Sequence, residues 1–220
     1  MRNIFFFSVL LCACCACSLF EPSDGGYADE GYDLSGTISV RFPGVAAGKV
    51  RSAATVLDTN SFIITVTGPD GGVLYDDEYY KMPEVLNAAP GVYTVRAVSS
   101  DFTAPAFDAP QWGDEQMVTV RAGENVTADL VCRLVNCGVR LGMSRAFIDS
   151  GVSCCFLLKS AEGAVTYALT EKRIAYFLPG LVSLAIDDGK KTEVLLTRFL
   201  GAGEILTEVD EEVLIGLVGP

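Results

Sequence analysis

The stretch FIITVTGPDGGVLY, residues 62–75, decides the fold. Phe62 to Thr67 and Val73 to Tyr75 are aromatic, β-branched or apolar residues that suit a pleated sheet. Between them lies Gly68-Pro69-Asp70-Gly71-Gly72, whose Pro and Gly supply the special backbone angles of a tight turn. The stretch reads as a β-hairpin. The same texture extends outward from it. LSGTISVRF (34–42) precedes it, and GVYTVRAVS (91–99), QMVTV (116–120), NVTADLVCRL (125–134) and GVRLGM (138–143) follow. SCCFLLKS (153–160), AVTYALT (164–170), LVSLAI (181–186), EVLLTRF (193–199) and EILTEV (204–209) continue the series. Short runs punctuated by turns, with almost no helical periodicity, predict an all-β chain. A brief helix or turn is expected near Lys81–Leu86 or Ser144–Asp149.

Three features occur twice in the same order. DGGVLY (70–75) pairs with EGAVTY (162–167), APGVYTVRA (89–97) with LPGLVSLAI (178–186), and AGENVT (122–127) with AGEILT (202–207). The spacing between copies shrinks along the chain, so the second copy lacks loop residues, chiefly the Phe102–Gly113 region. Each piece alone is ordinary turn chemistry. Three in order predict two tandem β-sandwiches of one topology, residues 34–135 and 136–220, each of normal small-domain size. The boundary falls near Leu134–Gly138, where one strand runs almost straight into the next and predicts a stiff joint.

Composition narrows the function. Half of the 220 residues are hydrophobic, enough for a sizeable core. Lys and Arg number 16 against 28 Asp and Glu, a net charge of −12 that repels nucleic acid phosphates and anionic headgroups. There is no histidine, which excludes a histidine-dependent triad, a zinc protease and any histidine-ligated metal site.

The first twenty residues carry an address. Arg2 is the only charge before Glu21, Ile4–Leu11 is apolar except for Ser8, and small residues and cysteines follow. This is a secretory signal, too short for a membrane span of about 20 apolar residues. Cys12, Cys14, Cys15 and Cys17 lie at its exit, where a bacterial lipoprotein signal ends in an apolar-small-small-Cys box. Cys17, after Ala16 and before Ser18, is the expected acylation site, with Cys14 the alternative. Residues 1–16 are then the signal, and acyl chains on the cysteine hold the protein to a membrane. Residues 17–33, acidic and rich in Gly from Glu21, read as a flexible tether. Cys132, Cys137, Cys154 and Cys155 match no zinc spacing and read as buried thiols, with one disulfide as the alternative.

The phrases Asp58–Thr67 followed by Gly-Pro-Asp-Gly, Met82-Pro83-Glu84-Val85, Ala89–Val95 and Val120-Arg121-Ala122-Gly123-Glu124 resemble signatures of one group. That group is the Bacteroidetes lipoprotein family catalogued as domain of unknown function 4493, similar in layout to fimbrillin-like surface proteins. The resemblance covers most of residues 34–210. It implies a lipoprotein signal followed by two transthyretin-like or immunoglobulin-like sandwiches, at the outer membrane or cell surface of a Gram-negative bacterium. Two departures stand out. The Val-Thr-Arg-Ala type element appears only as Lys49-Val50-Arg51-Ser52-Ala53, and with Pro220 as the last residue no third adhesive domain is expected.

Chemistry is sparse. Asp76-Asp77-Glu78, Asp187-Asp188 and Asp210-Glu211-Glu212 read as solvated hairpin ends; they form neither a glycosidase pair nor a calcium loop. No enzyme activity, metal or cofactor is expected. Phe102, Phe107 and Trp112 sit on the loop missing from the second copy. They either cap the first core or form a binding loop for a surface protein or glycan. The expected function is a non-enzymatic, lipid-anchored binding or structural module. The alternative is a fimbrillin-like pilus subunit or anchor that self-assembles by strand addition. There the resemblance implies proteolytic processing after Arg41 or Arg51 (or Lys49). The apolar tail Val213–Val218 is either a donated strand or the last strand of the second sandwich.

Overall fold

The structure is a computed structural model that describes residues 35–43, 49–51, 56–149 and 154–207. The signal, Cys14 and Cys17, the tether, the side chain of Arg51 and the tail from 208 onward lie outside the described residues. The opening hairpin forms as its sequence dictates. Gly68 N–H donates to Gly72 O (2.7 Å), Asp70 Oδ1 accepts from Gly72 N–H (2.9 Å), and Gly71 takes a φ of 81°, a region open to glycine at no steric cost.

The first half of the chain runs β1 (Gly36–Arg41), β2 (Lys49–Arg51), β3 (Val56–Asp58), β4 (Ile63–Thr67), β5 (Val73–Glu78), β6 (Leu86–Ala88), β7 (Gly91–Val98), β8 (Ala106–Phe107), β9 (Trp112–Val120), β10 (Asn125–Asp129) and β11 (Arg133–Leu134). The second half runs β12 (Cys137–Val139), the short helix α1 (Arg145–Asp149), β13 (Cys155–Ser160), β14 (Gly163–Tyr167), β15 (Ala175–Phe177), β16 (Gly180–Asp187), β17 (Thr192–Leu200) and β18 (Ile205–Leu206). The turn expected near Lys81 is a 3-10 turn at Tyr79–Lys81, and the helix expected near Ser144 is α1. β2, β3, β6, β8 and β15 were not expected; at two or three residues they are too short to show alternation.

The sheets repeat, except that β11 and β8 have no counterpart among the described strands. In the first half β10-β1-β6 faces β11-β9-β7-β4-β5; in the second β18-β12-β15-β8 faces β14-β13-β16-β17. β1 runs parallel to β10 and antiparallel to β6, as β12 runs parallel to β18 and antiparallel to β15. The registers match as well: Gly91 opposes Val120 in β7·β9, and Gly180 opposes Leu200 in β16·β17. The fold is therefore two tandem β-sandwiches of one topology.

Alternation builds each core. β1, β4 and β7 turn Ile38, Ile64, Val66 and Val95 inward, all without solvent exposure. β13, β15 and β16 do the same with Phe156, Leu158, Phe177 and Leu184 around Tyr167. Each sandwich thus buries its own cluster of large apolar side chains, the dominant favourable contribution to folding.

Candidate functional site

The aromatic loop was the leading candidate, and the structure distributes its rings. Phe102 is buried. Trp112 opens β9 and packs, half-buried, on the first core, its backbone N–H donating to Ser99 Oγ at 2.9 Å. Phe107 does not cap the first core. β8 pairs antiparallel with β15, so Phe107 joins the second cluster, edge-on to Tyr167 with ring centroids 5.3 Å apart. The guanidinium of Arg173 lies 4.7 Å from the Phe107 centroid. Glu171 holds Arg173 in place at 2.7 Å, and this hydrogen-bonded pairing lowers the Glu171 carboxyl to about 2. Trp112 and Phe107 thus pack on different cores, while Phe102 is buried outside both clusters, and the three rings form no exposed stacking platform.

A residue that sequence reasoning passed over organises the same loop. Asn136 is fully buried between β11 and β12. Its Oδ1 accepts from Gln111 N–H (3.0 Å), its Nδ2 donates to Ala109 O (2.9 Å), and its backbone O accepts from Gly203 N–H (3.0 Å). Gln111, also buried, donates through Nε2 to Ser100 O at 2.7 Å. Three segments from both copies meet on one amide side chain and its backbone. The available signal was a single polar residue inside the apolar run LVNCGV (134–139), because a buried amide must be paired.

Of the processing candidates, Arg41 ends β1. Its guanidinium makes two hydrogen bonds to Asp129, at 2.7 and 2.9 Å, and Leu130 N–H donates to Arg41 O at 2.8 Å. The next residue, Phe42, is buried edge-on against Phe62 and Tyr79. The Arg41–Phe42 bond is therefore held by a paired strand and a core ring. Arg51 ends β2, which among the described residues pairs only with the three-residue strand β3.

The acidic groups are committed locally. Asp76 accepts from Thr65 Oγ1 at 3.0 Å, and Lys81 sits 2.9 Å from both Asp77 and Glu78. Hydrogen bonds to Lys81 and to the Glu78 backbone lower the Asp77 carboxyl, and Asp77 followed by Glu78 raises the Lys81 ammonium. Asp188 closes the turn before β17 by accepting from the N–H groups of Lys190 and Lys191. Asp210–Glu212 lies outside the described residues. Among the described residues no three His, Cys, Asp or Glu side chains gather as metal ligands.

Cys132, Cys137, Cys154 and Cys155 are free. Burial, followed by the charge of Asp114, pushes the Cys132 thiol up to about 12, and burial pushes Cys137 up to about 11. Thiols so poorly ionised are inert structural side chains.

Two hollows remain. One, of about 590 Å³, opens beside α1 between Arg140, Met143, Ile148, Leu169, Glu171 and Lys172. Glu171 is the one carboxylate in its described lining. The other, of about 330 Å³, lies at the end of β1 between Arg41, Tyr79, Met82, Glu84 and Thr127. Among the described residues no helix is long and apolar enough to cross a membrane.

The model of one family, the domain of unknown function DUF4493, matches residues 39–198. A comparison with curated proteins gives no match. Solved structures with similarity include the fimbrial anchor protein Mfa2 from Porphyromonas gingivalis, at 9% identity and a TM-score of 0.41, covering 76% of this chain and 83% of that one. A fimbrial assembly protein from Parabacteroides distasonis ATCC 8503 aligns at 10% identity and a TM-score of 0.38, covering 77% of this chain and 85% of that one. The β-sandwich description rests on the strand pairing itself rather than on these alignments.

Proposed function

The chain belongs to the DUF4493 family, and from that premise we propose that it is a non-enzymatic, lipid-anchored surface protein that acts as a binding or structural module. The lipid on Cys17 (or Cys14) holds it to the outer membrane, residues 17–33 give reach, and the sandwich pair, divided near residues 135 and 136, presents a face to a surface protein or glycan. The observation that carries this reading is the joint. Asn136, Gln111 and the β8·β15 pairing tie the two sandwiches, which suits a module that displays its far end at a fixed distance from its anchor. The acidic chain keeps that face away from nucleic acid and anionic lipid.

The test is fractionation of native cells that express the Cys14→Ala/Cys17→Ala variant. The wild-type chain is expected with the membranes and the variant with the soluble fraction. A variant that stays with the membranes removes the lipid anchor from the account.

One observation favours a second reading, a fimbrillin-like subunit or anchor. β1 lies between β10 and β6, so its removal would open a groove through the sheet over the first core. A strand from another subunit fills such a groove by backbone pairing. The held Arg41–Phe42 bond makes Arg51 the better processing site. A native N-terminus at Ser52, found in a ladder of polymers, would select this reading.

A further inference from the structure

β1 is the first strand of the described chain, so a pull on Ser35 enters the fold through it. It lies between two partners. Five residue pairs, Thr37–Asn125 to Arg41–Asp129, join it in parallel to β10, and three, Gly36–Ala88 to Ile38–Leu86, join it antiparallel to β6. Because β1 and β10 run the same way, the N-terminal end of β1 and the C-terminal end of β10 lie at opposite ends of their ladder. The chain reaches the second sandwich after β10. Tension between Ser35 and that sandwich therefore pulls the two strands along their axes in opposite directions. Ladder bonds cross from strand to strand, so such a pull loads all of them together.

Side chains lock the register on both faces of this ladder. Outside, Thr37 Oγ1 donates to Asn125 Oδ1 (2.6 Å), Ser39 Oγ and Thr127 Oγ1 share a hydrogen bond (2.9 Å), and the Arg41 guanidinium donates to both oxygens of Asp129 (2.7 and 2.9 Å). Inside, Ile38, Val40 and Ala128 are buried. Moving β1 by one residue, about 3.3 Å, breaks the three outer pairs and turns Ile38 and Val40 outward. A pull between Ser35 and the turn at Ala122-Gly123 meets a different geometry. Gly123 N–H donates to Ser35 O (3.0 Å) and Thr37 N–H to Glu124 O (2.9 Å), so this exposed turn lies beside the start of β1. Tension there parts the strands one pair at a time, Thr37–Asn125 first and Arg41–Asp129 last.

We propose that the β1·β10 ladder is a tension clamp, which keeps the first sandwich closed when load runs from the start of β1 into the second sandwich. Its use rests on the anchored reading above, in which the lipid holds one end and a bound partner pulls on the other. Exposed pairs such as Arg41–Asp129 add little to stability at equilibrium. In the clamp they act on the rate at which β1 is drawn out, the quantity that governs forced unfolding. The arrangement recurs where the chain enters the second sandwich, with β12 parallel to β18.

Single-molecule pulling of the unlipidated mature chain tests this, with handles either at its two termini or at the N-terminus and in the turn Ala122-Gly123. Rupture of the first sandwich, recognised by its gain in chain length, is expected at a force at least about twofold higher between the termini than at the turn. Arg41→Ala, an exposed change that spares the core, should speed rupture between the termini about fivefold at fixed force. It should leave rupture from the turn unchanged, because there its pair parts last. Equal forces in the two geometries overturn the clamp, as does an Arg41→Ala effect of the same size in both. Neither readout involves the lipid, so failure of the anchor in the fractionation test and failure of the clamp are separate results.

Discussion

The link from β7 to β9 and the link from β16 to β17 occupy the same place in the two copies and are built differently. The second is the four-residue turn Asp188–Lys191, closed by the Asp188 carboxylate and by Gly189 at a φ of 80°. The first runs from Ser99 to Gln111, leaves its own sandwich, adds β8 to the sheet of the other and returns through Gln111 to Asn136. A turn of four residues suffices to connect the strands, so the longer link is not needed for the first sandwich to close. What it adds is attachment of one copy to the other. In this duplicated fold the shared strands make the cores, and the unshared residues make the joint.

The largest expected effects come from the shared strands. Ile64, opposite Ala97, and Phe156, opposite Ile186, occupy equivalent places. Phe156→Ala should destabilise the second sandwich by about 3–5 kcal/mol and Ile64→Ala the first by about 2–5 kcal/mol. Denaturant unfolding followed by sandwich-specific probes should assign each loss to its own half. Equal loss in both halves from either variant would show one merged core.

Asn136→Ala comes next. It leaves the buried Gln111 N–H and the part-buried Ala109 carbonyl without partners, so a loss of about 1–3 kcal/mol is expected. Unlike the core variants it should split unfolding into two transitions, because it breaks the joint and not the cores. A single, uniformly weakened transition would break the comparison.

Gly36 and Gly138 sharpen it further. A Cβ at Gly36 would lie 2.6 Å from Arg121 O and 2.7 Å from Glu124 O, backbone atoms that cannot step aside. A Cβ at Gly138 would meet side-chain rather than backbone atoms, Ile174 Cγ2 at 2.7 Å on a stiff β-branched side chain and Ile205 Cδ1 at 2.8 Å at the end of a flexible one. Gly36→Ala should therefore cost about 1–3 kcal/mol and Gly138→Ala less, measured by thermal or urea melts.

The smallest effect is in acid. The hydrogen bonds from Arg173 depress the folded Glu171 carboxyl to about 2, below an ordinary value of about 4.3. Its contribution is present above the ordinary value and is lost as pH falls through the folded one. Glu171→Gln should flatten the fall of the second sandwich's melting temperature between those two values. Parallel pH curves for variant and wild type would remove Glu171 from the Arg173–Phe107 contact.

The opening hairpin was legible because Phe62–Tyr75 places strand formers on both sides of a turn whose Gly and Pro have few other uses. The duplication was legible for a related reason: turn residues have to recur where turns recur. The strands β6 and β15 were not legible, since three residues show no period and their identity is set by the partners β1 and β12. The destination of Phe107 was equally hidden, because pairing with β15 joins residues far apart in sequence. Asn136 left one faint mark, a polar residue in an apolar run. Its partners Ala109 and Gln111 become known only when the long link is seen to return.

The measurement closest to the central claim is the intact mass and N-terminal sequence of the protein purified from its native membranes. The account predicts a single chain that begins at an acylated Cys17, or Cys14, and continues through both sandwiches to the apolar tail. A chain beginning at Ser52 in a ladder of polymers, or an unmodified soluble chain, would contradict it.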